Sequence, residues 1–548
     1  MSGNEEIIRS AARSGAARQQ LENGFSKRLF FDLFAILAFA ALARLVFFSE
    51  GLGADEVVYL TRAQHILHGE YPPAVYIGAM RDGINVFLAG SIFLFGPGIG
   101  GASGLFFACS LGQVFLAFGF AYTLWGRRAA IWAALGMAAL PIEITLAGGL
   151  GPDPYLGFVI TCSIVVFYFA ERDGRAALYL SAGLLAGWVF WIKQPAIVYV
   201  LVFPLLILAG HRRGAQRLWF VAGGMTSLTA HFALFWAYYG DPAYFFTSYY
   251  DYVTETYVSG DSTDTSLWPY VVLLFTKIYH TGLLGWLALG GCILGFTKRN
   301  QPEIRFVVIW GLGLLLIFSA LPISLSPLKF IAKQSNYMSI FTLPLAVIAG
   351  WFLAQQGRTI AFLLGGAMIA LGISFAALEQ QVISVVTVNG RSAAVFAEAH
   401  SGTPVFGPLT AQRQSKLQRV LRGSLDASGD IRPLADLAQL PLADGAADDI
   451  VAYVIEDPQM DNWPEARREP AIPELENCRA WVGPLEGRDL GYGRLVLGGL
   501  RGIVSLLPGG TADRALSATD PIWTVTRGEV YAITRDCALA AARALQAG

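Results

Sequence analysis

Long apolar runs, separated by short polar or basic links, dominate the chain from residue 29 to 378. A bilayer core takes about 17–25 apolar residues of α-helix. Runs of that kind lie near 29–49, 103–125, 129–148, 155–170, 176–192, 195–210, 218–239, 276–297, 306–322, 337–355 and 359–378. The run 84–97 is apolar but short, and it contains Asn85, Gly90, Gly96 and Pro97. It reads as a short span or as a helix lying in the interface, and the basic residues decide between the two. With 84–97 interfacial and the N-terminus inside, the links carrying Arg127-Arg128, Arg172/Arg175, Arg212-Arg213/Arg217, Lys298-Arg299/Arg305 and Arg358 all fall in the cytoplasm. The opposite links, 148–154 and 240–269, hold no Lys or Arg. Counting 84–97 as a span would put the Arg127, Arg172 and Arg212 clusters outside. The expected fold is therefore a polytopic α-helical membrane protein of about 11 to 13 spans. Its long first outer loop, 50–102, would carry interfacial helices.

The pattern changes at about residue 379. Short β-like runs (Pro404 to Phe406, Ile450 to Ile455, Ile522 to Val525, Val530 to Ile533) alternate with helical stretches such as Thr410 to Leu421. This predicts a small α/β domain over 379–548, outside the membrane. The remaining divisions are a cytoplasmic N-terminal segment, 1–28, and a transmembrane catalytic module, 29–378. The first 28 residues are polar, with Arg9, Arg13, Arg18, Lys27 and Arg28. The run after them is long enough to span, so it reads as a retained helix rather than a cleaved signal. Cys109, Cys162 and Cys292 lie in apolar runs; Cys478 and Cys537 lie in the outer domain, where an oxidising compartment would let them pair.

Composition sharpens the class. The 548 residues are 55% hydrophobic and only 14% charged, against about 25% charged for a soluble protein. A net charge of −1 argues against a general nucleic-acid binder, which needs a basic face. No phosphate-binding P-loop or HExxH sequence occurs, which argues against nucleotide hydrolysis in the cytoplasm. The Ala/Gly/Arg-rich, Lys-poor usage points to a bacterial inner membrane, with the catalytic face and the C-terminal domain periplasmic.

Candidate chemistry gathers on that outer face. Asp55-Glu56 follows the first apolar run, and an acidic pair at the mouth of a membrane helix faces water, protein or substrate. The same pair could simply cap an interfacial helix. Asp153, in the Gly151-Pro152-Asp153-Pro154 turn, is a second outer carboxylate. Two such groups suit a transferase, one taking a proton from an acceptor hydroxyl. Arg81, Lys193, Lys329 and Lys333 run against the positive-inside trend, and a phosphate anchor explains them; the alternative for Lys193 is a lysine snorkelling to the headgroups. His65 and His68 share a face if their stretch is helical, so with Glu70 or Asp82 they are candidates for a divalent metal, although two interfacial histidines is the simpler reading. His280 is a further outer polar residue. The link 241–270, with Tyr244, Phe245, Tyr249, Tyr250, Glu255, Tyr257, Asp261, Asp264 and Trp268, reads as an aromatic belt or as a surface for stacking on a sugar.

The order of short motifs resembles the GT-C membrane glycosyltransferases, in particular the subgroup of the lipid A aminoarabinose transferase and the protein O-mannosyltransferases. The motifs are Asp55-Glu56 with Tyr59 four residues after the Asp, the Asp153-Pro154 turn, Lys193-Gln194-Pro195, and Lys333 followed by Asn336-Tyr337 and Pro344. The resemblance implies a polyprenyl-monophosphate sugar as donor and an inverting displacement on the outer side. The acceptor would be a glycolipid, a polysaccharide or a protein. It implies Asp55 as base with Glu56 beside it, Asp153 as the second acidic residue, and Lys193 and Lys333 as phosphate contacts; Arg81 as a further phosphate contact, and Asp82 and His280 beside Tyr59 and Tyr337 as candidate substrate residues, are read from their place on the outer face. The aminoarabinose transferase has Glu-Lys-Pro where this chain has Arg81-Asp82-Gly83, and its Lys-Gly-Pro is here Lys193-Gln194-Pro195. The competing reading is a transporter or flippase of a lipid-linked substrate, which calls for ionisable residues at mid-membrane and repeated halves; here only Arg44 and Lys277 depart from the one-sided pattern. A non-catalytic assembly subunit would be indifferent to replacement of Asp55.

Overall fold

A computed structural model of the protein describes residues 27–74, 76–209, 214–253, 266–298, 301–325, 328–330, 333–440, 449–459, 472–486 and 491–547. Most of the N-terminal segment, Arg212, Arg213, Glu255, Tyr257, Asp261, Asp264 and Arg299 lie outside the described residues. Among those described, six helices are long and apolar enough to cross a membrane: Lys27–Val46, Ile99–Trp125, Asp153–Asp173, Ala215–Tyr239, Pro302–Ala320 and Arg358–Ala399. Shorter apolar helices, including Asp82–Phe95, Ala176–Ile192, Leu284–Thr297 and Thr342–Gln355, pack among them. This is the make-up of a polytopic membrane protein. The run 84–97 lies in the 14-residue helix Asp82–Phe95, about 21 Å long and so shorter than a hydrocarbon core of about 30 Å.

Two expected spans are not single helices. The run 129–148 breaks between Arg127–Ala138 and Pro141–Leu146, because Pro141 lacks an N–H and fits only the first turn of the second piece. The break frees carbonyls at the end of the first piece. The buried Arg44 guanidinium takes them up, donating to the Ala138 and Met137 oxygens at 3.1 and 3.4 Å, and to Ser110 Oγ at 2.7 Å. A cation at a helix C-terminus is favourable, so Arg44 is accounted for as a structural residue. The run 195–210 likewise begins as a 3₁₀ turn, Gln194–Leu201, before the helix Val202–Ala209.

The last apolar run ends at 378 in hydropathy but not in structure. The helix Arg358–Ala399 has 42 residues, about 63 Å, twice the thickness of the hydrocarbon. Between Ile373 and Asn389 there is neither glycine nor proline to stop it, so the boundary placed at 379 by composition falls inside one rigid element.

Beyond it, Val405–Phe406, Ile450–Glu456, Glu529–Thr534 and Ala480–Pro484 form a four-stranded sheet in that spatial order, with the first pair parallel and the others antiparallel. The run 522–525 is not a strand. It ends the helix Gly509–Trp523, where the Ile522 carbonyl accepts from Gln381 Nε2 at 2.8 Å. Cys478 and Cys537 form a disulfide. The helix Leu409–Leu421 ties this α/β unit to the first loop. Its Leu417, Val420 and Leu421 share one core with Leu60 and Ala63 of the helix Asp55–Leu67. Around that core, Gln414 Nε2 donates to the Gly51 carbonyl at 2.9 Å, Gln64 Nε2 to the Val420 carbonyl at 3.2 Å, and the Gly98 N–H to the Leu421 carbonyl at 2.8 Å.

Candidate active site

Asp55 opens the helix Asp55–Leu67 in its first turn, where the helix dipole favours a carboxylate. Its side chain is exposed, and Oδ1 accepts from the Tyr76 hydroxyl at 3.1 Å. Glu56 points elsewhere: its carboxylate accepts from the Ala54 N–H at 2.8 Å and the Leu52 N–H at 3.3 Å. It holds the entry to the helix instead of lining the site. One turn on, the buried Tyr59 accepts a hydrogen bond from the buried Arg81 guanidinium. Burial pushes the Tyr59 hydroxyl up, so it stays protonated. Burial opposes the Arg81 charge, but Tyr59, Tyr337 and Asp55 outweigh it and raise the guanidinium above its usual value.

The second half of the site comes from elsewhere in the chain. Asp153 begins the helix Asp153–Asp173, with Pro154 in its first turn. Lys193 sits in extended backbone (φ −157°) at the joint between the helix Ala176–Ile192 and the turn Gln194–Leu201. Its ammonium donates to Asp153 Oδ1 at 2.9 Å and lies 3.8 Å over the Tyr337 ring. Asn336 Nδ2 donates to the other carboxylate oxygen at 2.6 Å, and Ser339 Oγ to the Asp153 carbonyl at 3.0 Å. Asp153 and Lys193 are both buried. Such a pair persists only with close geometry and further hydrogen bonds; Asn336 supplies one to the carboxylate, and the Tyr337 ring faces the ammonium.

The two halves face one another. Asp55, Arg81, Lys193 and Asp153 all lie close enough for their charges to act on the Tyr59 hydroxyl. Arg81 and Lys193 are close enough for their positive charges to oppose each other. Two buried cations brought together are costly unless an anion lies between or beside them. Asp153 already balances Lys193, so Arg81, held on the Tyr59 hydroxyl, and the Lys193–Asp153 pair form a buried polar cluster beside the exposed carboxylate of Asp55.

Other expected site residues are placed differently. Asp82 accepts from the Tyr71 hydroxyl at 2.6 Å. His65 pairs with Glu70 at 2.7 Å, and His68 Nδ1 with the Gln64 carbonyl at 2.7 Å. These side chains do not converge, and no group of three such residues able to hold a metal occurs among the described residues. His280 is engaged by Glu379, whose other oxygen accepts from Thr145 Oγ1 at 2.8 Å. Lys333 lies over the Phe330 ring at 4.8 Å, on the stretch leading to Asn336. In the sequence Tyr76 and Tyr270 have no individual role, yet Tyr76 bonds to Asp55 and Tyr270 lies close enough to feel Tyr337 and Asp153. Asn336 stands there only as a neighbour of Tyr337. An amide immediately before a site tyrosine was the one available signal.

No protein-family model and no curated protein sequence matches the chain. Solved structures do. ArnT from Cupriavidus metallidurans in the apo state is 15% identical, with a TM-score of 0.54 over 83% of this chain and 96% of that one. The same protein bound to undecaprenyl phosphate is 14% identical, with a TM-score of 0.57 over 85% of this chain and 97% of that one. The likeness is one of fold over nearly the whole of both chains, and it agrees with the GT-C resemblance drawn from the short motifs.

Proposed function

We propose that the protein is a GT-C glycosyltransferase that moves a sugar from a polyprenyl-monophosphate donor to an acceptor hydroxyl on the periplasmic face of a bacterial inner membrane. The observation that carries this reading is the buried Lys193, held by Asp153 and the Tyr337 ring, together with the buried Arg81 bonded to Tyr59 on the helix that opens at the exposed carboxylate Asp55. A sugar bonded to phosphate has a good leaving group already, so the site needs a base and a cationic seat more than a strong acid. Asp55 takes the acceptor proton as the hydroxyl oxygen bonds to the anomeric carbon. The bond from that carbon to the phosphate oxygen breaks on the opposite face, which inverts the centre. The negative charge that develops on the phosphate falls to Arg81 and Lys193. Asp153 positions Lys193, and the Tyr59 hydroxyl fixes Arg81. The undecaprenyl phosphate held by the fold neighbour supports a lipid-phosphate donor of this class.

The test is sugar transfer by purified protein in nanodiscs, offered a panel of polyprenyl-phosphate sugars, with wild type beside Asp55→Asn. Transfer or slow donor hydrolysis is expected for the wild type, with a loss of at least about 100-fold in the variant, the usual scale of a missing general base. Equal turnover by both would remove Asp55 from the chemistry. Absence of turnover with every donor, in folded protein, would overturn the transferase reading.

A further inference from the structure

The helix Gly493–Val504, in the C-terminal α/β unit, is apolar on two faces. One face is occupied. Val496 packs with Ala43, Val46 and Phe47 at the end of the first apolar helix and with Ile373, Ala376 and Ala377 of the long helix Arg358–Ala399. The Gly493 N–H donates to Gln380 Oε1 at 2.7 Å, while Gln380 Nε2 donates to the carbonyls of Val46 and Phe48 at 3.3 and 2.9 Å. The helix is thus fixed level with the last apolar turns of two helices long enough to cross a membrane.

The second face is bare. Leu495, Ile503 and Leu506 are 72%, 65% and 83% exposed, and they recur at helical spacing with Gly499 and Gly502 between them. They are as open as Leu42 and Leu45 on the neighbouring first apolar helix, at 61% and 62%. The remaining edge is polar and covered. Arg501 pairs with Asp520 at 2.8 Å, and Arg494 and Arg501 both lie over the Trp523 ring at 5.2 and 5.1 Å. Both partners, Asp520 and Trp523, belong to the helix Gly509–Trp523, which presents Thr511, Asp513, Arg514 and Ser517 outward. The two helices form a pair, one with a polar outer surface and one with a bare apolar face.

We propose that Gly493–Val504, with Ser505 to Leu507 after it, lies in the lipid at the boundary of headgroups and acyl chains, in the leaflet at the Val46 and Gln380 end. The occupant of the bare face is lipid because the face continues, at the same height, the outward apolar surface of the first apolar helix. An amphipathic helix seated in this way buries its apolar face about 5–10 Å below the headgroups. The long helix Arg358–Ala399 and the contact of Leu409–Leu421 with the first loop are the unit's other ties to the apolar helices. A further anchor, roughly one short helix away from the long one, would set the tilt of the α/β unit over the site. This inference stands apart from the chemistry at Asp55.

The experiment places a nitroxide at Leu506→Cys in the full chain, reconstituted in nanodiscs of phosphatidylethanolamine and phosphatidylglycerol. Collision rates are then compared for oxygen, which concentrates in lipid, and a nickel chelate, which stays in water. Leu45→Cys is the lipid reference and Ser517→Cys the water reference. The label at 506 should follow the Leu45 site, with oxygen dominating. Nickel access equal to that at 517 would overturn the proposal, since the face would then lie in water. Protection from both reagents would overturn it as well, by showing a protein partner such as a second copy. Leu495→Cys repeats the measurement from within the helix should the first variant fail to fold.

Discussion

At the scale of single residues, the Asp153–Lys193 pair is where stability and function come apart. The pair is buried, and its two charges are satisfied by each other, by Asn336 and by the Tyr337 ring. Removing the lysine leaves a carboxylate with no counter-charge at 2.9 Å, which in buried sites costs about 3–5 kcal/mol. Removing both charges together avoids most of that cost. Lys193→Met should therefore lower the thermal midpoint in detergent markedly, and Lys193→Met/Asp153→Leu should recover much of the loss. If Lys193 seats the donor phosphate as proposed, transfer should stay absent in both. A single variant as stable as the wild type would mean that the pair is solvated, contrary to its burial. The same scale sets Asp55 and Glu56 apart. Asp and Glu at adjacent positions look equivalent in a sequence, but only the longer side chain reaches back to the Leu52 and Ala54 amides, a local competition for backbone donors.

Among elements, the site depends on how closely helices approach at two glycines. A Cβ on Gly157, in the helix Asp153–Asp173, would stand 2.6 Å from the Ser339 carbonyl oxygen. A Cβ on Gly83, opening the helix Asp82–Phe95, would stand 2.7 Å from the Trp191 carbonyl carbon, two residues before Lys193. Both obstacles are backbone, which cannot swing aside as a side chain does. Gly157→Ala should thus push the 335–340 turn, with Asn336 and Tyr337, away from Asp153 and lower the transfer rate at least tenfold, since misplacement by about 1 Å can cost 100-fold. Asp153 itself would be unchanged. The check is transfer rate against the midpoint of unfolding; a rate unchanged in Gly157→Ala would show that the turn yields freely. Such approaches are invisible in the sequence, where both glycines simply interrupt apolar helical stretches. The helices themselves were legible because burial in lipid or core enforces runs of apolar residues, and Asp55, Arg81, Asp153, Lys193 and Tyr337 stood out as polar groups at their ends. The breaks were less so. Pro141 announces one, but hydropathy cannot see the continuous helix through Glu379, since a helix crosses from lipid to water without changing its backbone. The edge strand Ala480–Pro484 escaped notice because most of its residues are exposed and it lacks the alternation of a half-buried strand.

For the whole molecule, the telling contact is the one between the C-terminal α/β unit and the loop that carries Asp55. Leu417, Val420 and Leu421 complete the core under the helix Asp55–Leu67 together with Leu60 and Ala63. Gln414 and Gln64 add hydrogen bonds across the same joint. A loop at a membrane surface has little of its own to hold it, so the unit acts as the roof against which that helix is pressed. Elsewhere in the same unit, Leu475 fills a separate core behind the sheet with Ile472, Ile533 and Cys537. Both leucines are buried, so Leu→Ala at either position should cost about 2–5 kcal/mol through the cavity it leaves. The functional consequences should differ. Leu417→Ala loosens the seat of the helix that begins at Asp55 and of Tyr59 one turn on, and it should lower the transfer rate several-fold at temperatures where the protein remains folded. Leu475→Ala should lower stability alone and leave the rate of the folded fraction near that of the wild type. Transfer rates measured well below both unfolding midpoints separate the two. Equal rates in the two variants would mean that the unit does not position the site, and the argument for a roof over Asp55 would fall while the chemistry at Arg81 and Lys193 remained open to its own test.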